Sequence, residues 1–291
     1  MACLACGAST TAPWPSEEEL DRAYAGWYRP QERRFAGVGD RLLCWSRGRL
    51  ARRIDRIAPE GAVLDVGAGD GALLDGLRAR GRAGLGLERP GGEDAHATPP
   101  LLGVGPATRV AREDVRFTAM DELEGPFAAV VFWHALEHLR EPAEAVERAV
   151  ELLLPGGVLV VASPNAASFQ ARTFGERWFG LDLPRHLVHL PLSSLVVRLH
   201  ELGLAVERVS HLRGGQVVFG WLHGLVGALP GQVDLYDAIR RPSARSSPTT
   251  GGRRAATLGA AMLVLPVAVA LALAEAVAGH GGTVYVEARR G

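Results

Sequence analysis

The sequence has no lysine, few cysteines and no excess of either charge. All 32 basic residues are arginine and 32 acidic residues balance them, so the formal net charge is zero and the pI is near 7.1. A chain without net positive charge lacks the electrostatic pattern of nucleic-acid-binding proteins, and we expect no nucleic-acid partner. Cys3, Cys6 and Cys44 are too few for a disulfide scaffold and are typical of a reducing, cytoplasmic compartment.

The N-terminal segment, residues 1–39, lacks the apolar core of a secretory signal. Ser16 and Glu19 have the spacing of a capping box, which predicts a short helix ending near Tyr28. Cys3-x-x-Cys6 supplies two of the four ligands that a structural zinc site needs. We interpret the pair as the remnant of half a zinc ribbon and expect no functional zinc site there.

Short apolar runs alternate with helical periodicity from residue 40 to the end of the chain. Strands are predicted at residues 63–66, 83–87, 115–118, 127–132, 158–162, 204–209 and 282–289. Further helices are predicted at residues 40–57, 71–80, 142–153 and 191–202. One apolar side of the first of these helices would carry Leu42, Leu43, Trp45, Leu50, Ile54 and Ile57. Such alternation implies an α/β fold, a parallel sheet covered by helices on both faces.

The stretch AVLDVGAGDGALL, residues 62–74, joins a buried strand to a helix through three glycines. Gly67, Gly69 and Gly71 allow a tight turn and let a ligand approach the backbone. The following helix offers free N–H groups at its start. Glu88 ends the second strand, 21 positions after Gly67, where an acid can accept hydrogen bonds from both ribose hydroxyls. The pattern predicts a cofactor that contains a nucleoside.

Two classes of cofactor fit this turn. Residues 67–72 also satisfy the dinucleotide pattern G-x-G-x-x-G/A, which is found in dehydrogenases. Asp65, two residues before the first glycine, would repel a pyrophosphate but suits a cationic ligand with an ammonium group. S-adenosylmethionine carries an ammonium, a sulfonium and no phosphate, so the acid favours it.

At residues 40–211 and 282–289 the chain resembles the class I S-adenosylmethionine-dependent methyltransferases, most closely the ubiquinone-biosynthesis-like branch. VLDVGAGDG is similar to the first motif of the family and GLGLER to its second, while FWHALEHLREP (132–142) and LLLPGGVLVVASPN (152–165) are similar to later segments. The resemblance implies a methyltransferase (EC 2.1.1.-) with a three-layer Rossmann-like fold. Its sheet would have seven mostly parallel strands with an antiparallel last strand.

The resemblance also implies the cofactor contacts. They are Asp65, Gly67, Ala68, Gly69, Glu88, Met120, Asp121 and His134. The first four would hold the methionine end of S-adenosylmethionine and the glutamate its ribose. The next two would cradle the adenine, and the histidine would lie beside the transferable methyl. The chain departs from many relatives at Ala128, where they have an acid.

Methyl transfer from a sulfonium needs alignment and the exclusion of water, and a base only where the acceptor must lose a proton. We predict His134 as that base and His186 as the second choice. His134, Glu137 and His138 form H-x-x-E-H with helical spacing, although Glu137 and His138 could simply shape the wall of the site. Some ubiquinone-pathway relatives bind a divalent ion in this segment, but His134 replaces the first acid, and we predict no metal.

The segment GERWFGLDLPRHLVHL, residues 175–190, follows the fifth strand, at the edge where parallel sheets bind ligands. We call it the flap. The same pattern recurs in methyltransferase relatives. It predicts an acceptor lid in which Trp178, Arg185, His186 and His189 bind the acceptor. The alternative is a rigid loop whose histidines bond backbone groups.

Residues 212–280 form an excursion between the last two strands, with 20 consecutive uncharged residues at 255–274. Because both ends would return to one sheet, a single membrane span is topologically impossible. Two spans would carry the arginine-rich stretch 240–254 across, against the positive-inside rule. We expect a hydrophobic helical hairpin with a mobile loop at about 240–254. It would form either a peripheral membrane contact or a cap or dimer interface.

The sequence thus predicts three parts: residues 1–39, a cofactor-binding domain of residues 40–211 plus 281–291, and the excursion. The resemblance implies methyl transfer to an oxygen of a small or lipid-linked acceptor, which we expect in the cytoplasm or at the cytoplasmic face of a membrane. One alternative is a C- or N-methyltransferase of a sugar or secondary metabolite. Another is a noncatalytic membrane-associated binding module that retains the fold. The sequence does not determine the oligomeric state.

Overall fold

A seven-stranded sheet crosses the centre of the computed structural model, which describes residues 1–25, 35, 38–69, 71–88, 110–112, 120, 122–212, 215–231, 233–240, 245 and 250–291. The strands are β1 Ser9–Thr10, β2 Val63–Val66, β3 Gly84–Glu88, β4 Val110–Arg112, β5 Phe127–Trp133, β6 Leu153–Pro164, β7 Val188–His189, β8 Leu204–Ser210 and β9 Thr283–Arg290. The helices are α1 Glu17–Ala25, α2 Val38–Ile57, α3 Ala72–Arg78, α4 Pro142–Glu151, α5 Phe169–Phe174, α6 Leu192–Glu201, α7 Gln216–Gly227, α8 Leu235–Ile239 and α9 Gly251–Val277.

The strand order in the sheet is β4-β3-β2-β5-β6-β9-β8. All pairs from β4 to β6 are parallel, and β9 is antiparallel to both β6 and β8. The predicted fold, with its antiparallel last strand, is therefore confirmed. The order reverses between β2 and β5, and ligands of open α/β sheets bind at the carboxyl ends of the strands at such a point.

Alternate residues of the central strands fill two cores, one on each face of the sheet. Leu64 of β2 faces a core that contains Val146 of α4 and Leu199 of α6. Its neighbour Val63 faces the opposite core, which contains Leu50 of α2. Because strand side chains alternate in direction, continuous apolar runs in β2, β5 and β6 are what a sheet buried on both faces requires.

Most predicted elements are present, with shifted ends. The predicted capping box is confirmed, since Ser16 N–H donates to Glu19 Oε2 at 2.8 Å and Glu19 N–H donates to Ser16 Oγ at 3.2 Å. The strand predicted at 115–118 lies outside the described residues, and β4 lies beside β3 at the edge of the sheet. β6 begins at Leu153, earlier than the strand predicted at 158–162, and includes Pro155, Gly156 and Gly157.

The predicted apolar side of α2 is wrong for its first turns. Leu50 and Ile54 are fully buried, whereas Leu42 and Trp45 are 58% and 56% exposed. Both buried residues belong to the core that α2 shares with α3 and the sheet, and no buried cluster of the described residues includes the first turns.

The helices α7 and α9 form a helical hairpin, in which they pack together through Val217, Trp221, Ala268 and Ala272. We call α7, α8 and α9 together the hairpin. α9 contains the uncharged run and is the one helix of the described residues that is long and apolar enough to cross a membrane, by length and composition alone. Its most apolar 18-residue window has a mean hydropathy of 2.3 and is only 22% buried.

A buried ion pair fastens α2 to β9. Arg53 donates from Nε and Nη2 to the two carboxylate oxygens of Glu287 at 2.8 and 2.6 Å, and the Tyr285 hydroxyl donates to the same carboxylate at 2.6 Å. The Glu287 side chain is 1% exposed. Burial alone would raise its pKa, but the hydrogen bonds from Arg53 and Tyr285 lower it.

We expect Glu287→Gln to lower the free energy of unfolding at pH 7 by about 2 kcal/mol, because charged hydrogen bonds are lost. A lowered folded-state pKa stabilises the fold fully above the unfolded-state value of 4.5, and this contribution is lost as pH falls through the folded-state pKa. The difference between wild type and variant in urea melts should therefore shrink in acid. Glu207→Gln, which breaks a half-exposed pair with Arg289, is the control and should cost under about 1 kcal/mol. Equal losses in the two variants would contradict the argument.

Candidate functional site

The turn after β2 lies where the strand order reverses. Gly67, Gly69 and Gly71 have φ of 78°, 61° and 76°, in the left-handed region that glycine adopts without strain. The N–H groups of Gly67 and Ala68 both donate to the Leu87 carbonyl, at 2.8 and 3.0 Å. The three predicted glycines therefore shape the turn, and β3 holds it in place.

Two acidic side chains flank this turn. Asp65 and Glu88 are 3% and 5% exposed, and Glu88 Oε2 accepts a hydrogen bond from Gly69 N–H at 2.6 Å. Buried carboxylates favour a ligand that brings positive charge or hydroxyl donors. These two carboxylate acceptors fit the ammonium and the ribose hydroxyls of S-adenosylmethionine, which donate. Met120, which follows β4 in the chain, is buried. Asp121 lies outside the described residues.

His134 follows β5 directly and has φ of 52°, which a residue with a Cβ rarely adopts. Its N–H donates to the Ala162 carbonyl at 2.8 Å, so β6 fixes the backbone. Its Nδ1 lies 3.1 Å from Glu137 Oε1, and its Nε2 lies 3.0 Å from Gln216 Oε1 of α7. Backbone strain that the surroundings enforce is typical of functional sites.

The predicted helical face for His134, Glu137 and His138 is wrong. Only residues 136–138 form a turn of 3-10 helix, and His134 lies outside it. His138 Nδ1 lies 2.9 Å from the carbonyl oxygen of Arg185 in the flap and 2.9 Å from the Tyr24 hydroxyl of α1. His134 and Glu137 are therefore in contact, whereas His138 belongs to a second set of contacts.

That second set joins the 3-10 turn to the flap. One ligand-type atom each of Glu137, His138 and His186 lies within 4.8 Å of the others. Each imidazole donates its Nδ1–H to a backbone carbonyl: His186 to Gly180 at 2.8 Å, and His138 to Arg185. On a neutral ring the nitrogen that remains is an acceptor. Glu137 Oε2 is buried and has no hydrogen-bond partner among the described residues.

The protonation states follow from burial. Desolvation would raise the pKa of Glu137, but the hydrogen bond from His134 and the charges of the three histidines lower it to about 2. Desolvation and the neighbouring His138 lower the pKa of His186 to about 4. At neutral pH the cluster thus holds one carboxylate and a neutral His186. Glu137 Oε2 and the free nitrogen of His186 are therefore both acceptors.

Such a set of one carboxylate oxygen and two imidazole nitrogens also suits a divalent transition metal. Backbone carbonyls orient both histidines, as they do around metals. The spacing of the sequence motif did not indicate that His186 lies beside Glu137 and His138. That no metal is bound stays a prediction. Cys3 and Cys6 are exposed, and no cluster of three ligand-type side chains among the described residues includes them.

The flap is anchored by its own residues. Trp178 is buried, and a Cβ on Gly180 would clash with its ring, so only glycine allows this packing. Arg185 and His186 both lie beside Asp182, which pairs with the arginine. These contacts place Trp178, Arg185 and His186 in one loop next to the 3-10 turn, and their acceptor roles remain predictions.

The N-terminal segment also holds the flap, which the sequence analysis missed. β1 pairs with β7, and the Thr11 hydroxyl donates to the His186 carbonyl at 2.7 Å and lies 3.4 Å from His189 Nε2. His189 therefore packs against β1. No periodicity or motif links residues 11 and 24 to residues more than 110 positions away, so no local signal could have identified them.

Comparisons with known proteins agree with this geometry. Residues 42–209, more than half of the chain, match the sequence model of a family described as a methyltransferase domain. The chain is 30% identical over 220 residues to a ubiquinone biosynthesis O-methyltransferase of Xylella fastidiosa, which covers 68% of this chain and 82% of that protein. It is 30% identical over 151 residues to a probable S-adenosylmethionine-dependent methyltransferase of Mycolicibacterium smegmatis, covering 50% and 52% of the two chains.

Two solved structures share the fold at 17% sequence identity. One is a SAM-dependent methyltransferase of Archaeoglobus fulgidus, with a TM-score of 0.50 over 84% of this chain and 93% of that chain. The other is a cyclase, SpnF, with a TM-score of 0.51 over 97% and 98%. Since one neighbour is described as a cyclase, the fold alone does not fix the reaction.

We expect Asp65→Asn to weaken the binding of S-adenosylhomocysteine by about 1.5–3 kcal/mol, because a charged hydrogen bond to the ammonium group is lost. Isothermal titration calorimetry measures the change. Asp75→Asn on α3, where the side chain is 64% exposed, is the matched control and should bind as wild type does. Unchanged affinity in Asp65→Asn would exclude the ammonium contact.

Proposed function

Because the chain belongs to the class I S-adenosylmethionine-dependent methyltransferases, we propose that it methylates an oxygen of a small or lipid-linked acceptor. The relative named above as an O-methyltransferase supports the choice of oxygen. We place the enzyme in the cytoplasm or at the cytoplasmic face of a membrane, in keeping with its three free cysteines. The observation that carries the proposal is the pair of His134 and Glu137 at the end of β5.

His134 is the proposed base. Glu137 accepts from Nδ1–H, which sets the tautomer, and Nε2 takes the proton of the acceptor hydroxyl when that hydroxyl displaces the Gln216 amide, which lies 3.0 Å from Nε2. The resulting imidazolium keeps its hydrogen bond to Glu137 Oε1 and donates from Nε2 to Gln216 Oε1 once the product leaves. Glu137, with its low pKa, stays charged throughout and stabilises that cation.

The acceptor site is proposed to include Glu137 Oε2, His186 and the flap. A buried carboxylate oxygen without a partner needs a donor, and a hydroxyl group supplies one. A neutral His186 offers a second acceptor to a second hydroxyl or amide. The low pKa makes His186 a weak base, so it orients the acceptor, and His134 moves the proton. Trp178 and Arg185 would complete the wall.

On the other side of His134, we propose that Asp65 binds the ammonium group and Glu88 the ribose of the cofactor. S-adenosylmethionine, when bound, supplies an activated methyl group on a sulfonium. The glycine turn lets the ligand approach the backbone without a Cβ clash, and a bound ligand there would exclude water from the line between acceptor oxygen and methyl. A divalent ion, if held by Glu137, His138 and His186, would polarise the acceptor oxygen.

We expect His134→Asn to lower the rate of methyl transfer about 10²–10⁴-fold, because asparagine tolerates the left-handed backbone but cannot take the proton. Transfer is measured with methyl-labelled S-adenosylmethionine and an extract of the source cell, and calorimetry should show cofactor binding little changed. His200→Asn, on the exposed side of α6, controls for loss of a histidine and should keep full activity. Full activity in His134→Asn would remove the proposed base.

The acceptor class is tested by partitioning the labelled product between organic solvent and water. Label in the organic phase, on an oxygen, is the expected result for a lipid-linked acceptor. Label confined to the aqueous phase on carbon or nitrogen would instead identify a sugar or metabolite methyltransferase. No label together with no S-adenosylhomocysteine binding would identify a noncatalytic relative of the fold.

A further inference from the structure

One long face of α9 is apolar and exposed. It carries seven side chains that are between 37% and 88% exposed, and we call them the α9 outer face: Met262, Leu263, Leu265, Val267, Val269, Leu273 and Val277. At 100° per residue they cover an arc of about 200°, and they extend for about 24 Å along the helix. Contiguous apolar patches of this kind mark interaction surfaces in soluble proteins.

The charges at the start of α9 have one sign. Residues 240–254 contain five arginines and no acid, although Arg240 is buried and Arg241 lies outside the described residues. Arg253 is exposed and Arg254 half-buried at the first turn of α9. The acids of the hairpin are engaged elsewhere, since Asp237 and Glu275 are buried and Asp234 pairs with His223. The outer face therefore has a basic end, and the exposed acid Asp234 of the hairpin is paired with His223.

We propose that the α9 outer face docks on the surface of an anionic phospholipid bilayer. A partner helix, including α9 of a second copy, covers an apolar stripe of about 100° and would leave half of this arc in water. A fluid bilayer surface can enclose the whole arc. The arginines meet anionic headgroups at one end, which adds an electrostatic attraction.

The docked α9 would lie parallel to the membrane surface, because its C-terminal end is fixed to the rest of the protein. Glu275 is fully buried and accepts hydrogen bonds from Gln170 N–H, Gln170 Nε2 and Trp221 Nε1, at 3.0, 2.8 and 2.8 Å. Six residues after α9 ends, β9 enters the sheet. A transmembrane position would pull this buried carboxylate into hydrocarbon.

The docked hairpin would place the proposed acceptor site near lipid. Gln216 at the start of α7 contacts His134 directly. Phe179 of the flap packs against Phe219 of α7 and Tyr236 of α8, with ring centroids 5.1 and 5.6 Å apart. The hairpin is thus one wall of the site. The docking itself does not depend on the identity of the reaction.

The test uses the full-length chain and extruded vesicles of phosphatidylcholine, with and without phosphatidylglycerol, in a co-sedimentation assay. Wild type should bind the anionic vesicles more tightly than the neutral ones, and added salt should weaken the difference. The double variant Met262→Ser, Leu263→Ser should partition at least about tenfold less, because two large apolar side chains no longer enter the lipid. Arg253→Glu should lower binding to anionic vesicles alone.

The matched control is Val197→Ser, Val209→Ser, which removes two exposed apolar side chains from α6 and β8. It should bind vesicles as wild type does, and thermal melts should confirm that all variants fold. Equal loss in the control would overturn the proposal, as would a wild type that sediments with neither vesicle. Sedimentation velocity without lipid tests for a dimer. If wild type is a dimer that binds no vesicles, and Met262→Ser, Leu263→Ser is a monomer, the outer face belongs to a contact with a second copy and the proposal is overturned.

Discussion

Two turns at the carboxyl edge of the sheet are packed back to back, and the site depends on that contact. β2 and β5 are neighbours, so the glycine turn after one meets the strained turn after the other. A Cβ on Gly67 would lie 2.6 Å from the Cβ of Ala135, the residue after His134. Any larger residue at 67 would push the cofactor turn away from the proposed base. The lack of a side chain at Gly67 therefore lets the two turns lie close together, and it also lets the ligand approach the backbone.

The second constraint is the single buried carboxylate of Glu137. One oxygen accepts from His134, and the other faces a cluster that includes two further histidines. The Leu187 N–H donates to the backbone carbonyl of Glu137 at 2.8 Å, which ties the flap to the same residue. Since His186 is neutral, its free nitrogen and Glu137 Oε2 are both acceptors. A ligand that brings hydrogen-bond donors or positive charge would satisfy them.

The sequence predicted the parts of this arrangement whose signals are local. Strands with continuous apolar runs, the glycine turn and Glu88 at the end of β3 are set by spacing along a single strand–turn–helix unit. The approach of Gln216 to His134, across 82 positions, and of Tyr24 to His138, across 114, depends on how separate segments pack. The exposure of Leu42 has the same origin, because periodicity identifies an apolar side but does not show whether another element covers it.

The hairpin shows why an insertion between β8 and β9 can hold a fixed orientation. Gly220 and Gly224 of α7 let the helix approach α5 so closely that a Cβ on either would clash, with Gln170 in one case and Phe174 in the other. Gln170 in turn donates to both Glu275 of α9 and the Val217 carbonyl of α7. Three helices therefore meet at one amide. A buried carboxylate that is satisfied only in this geometry opposes rotation of α9 about its axis. The apolar face consequently points outward as a structural property of the fold, and a surface that is held outward in this way is suited to a planar partner.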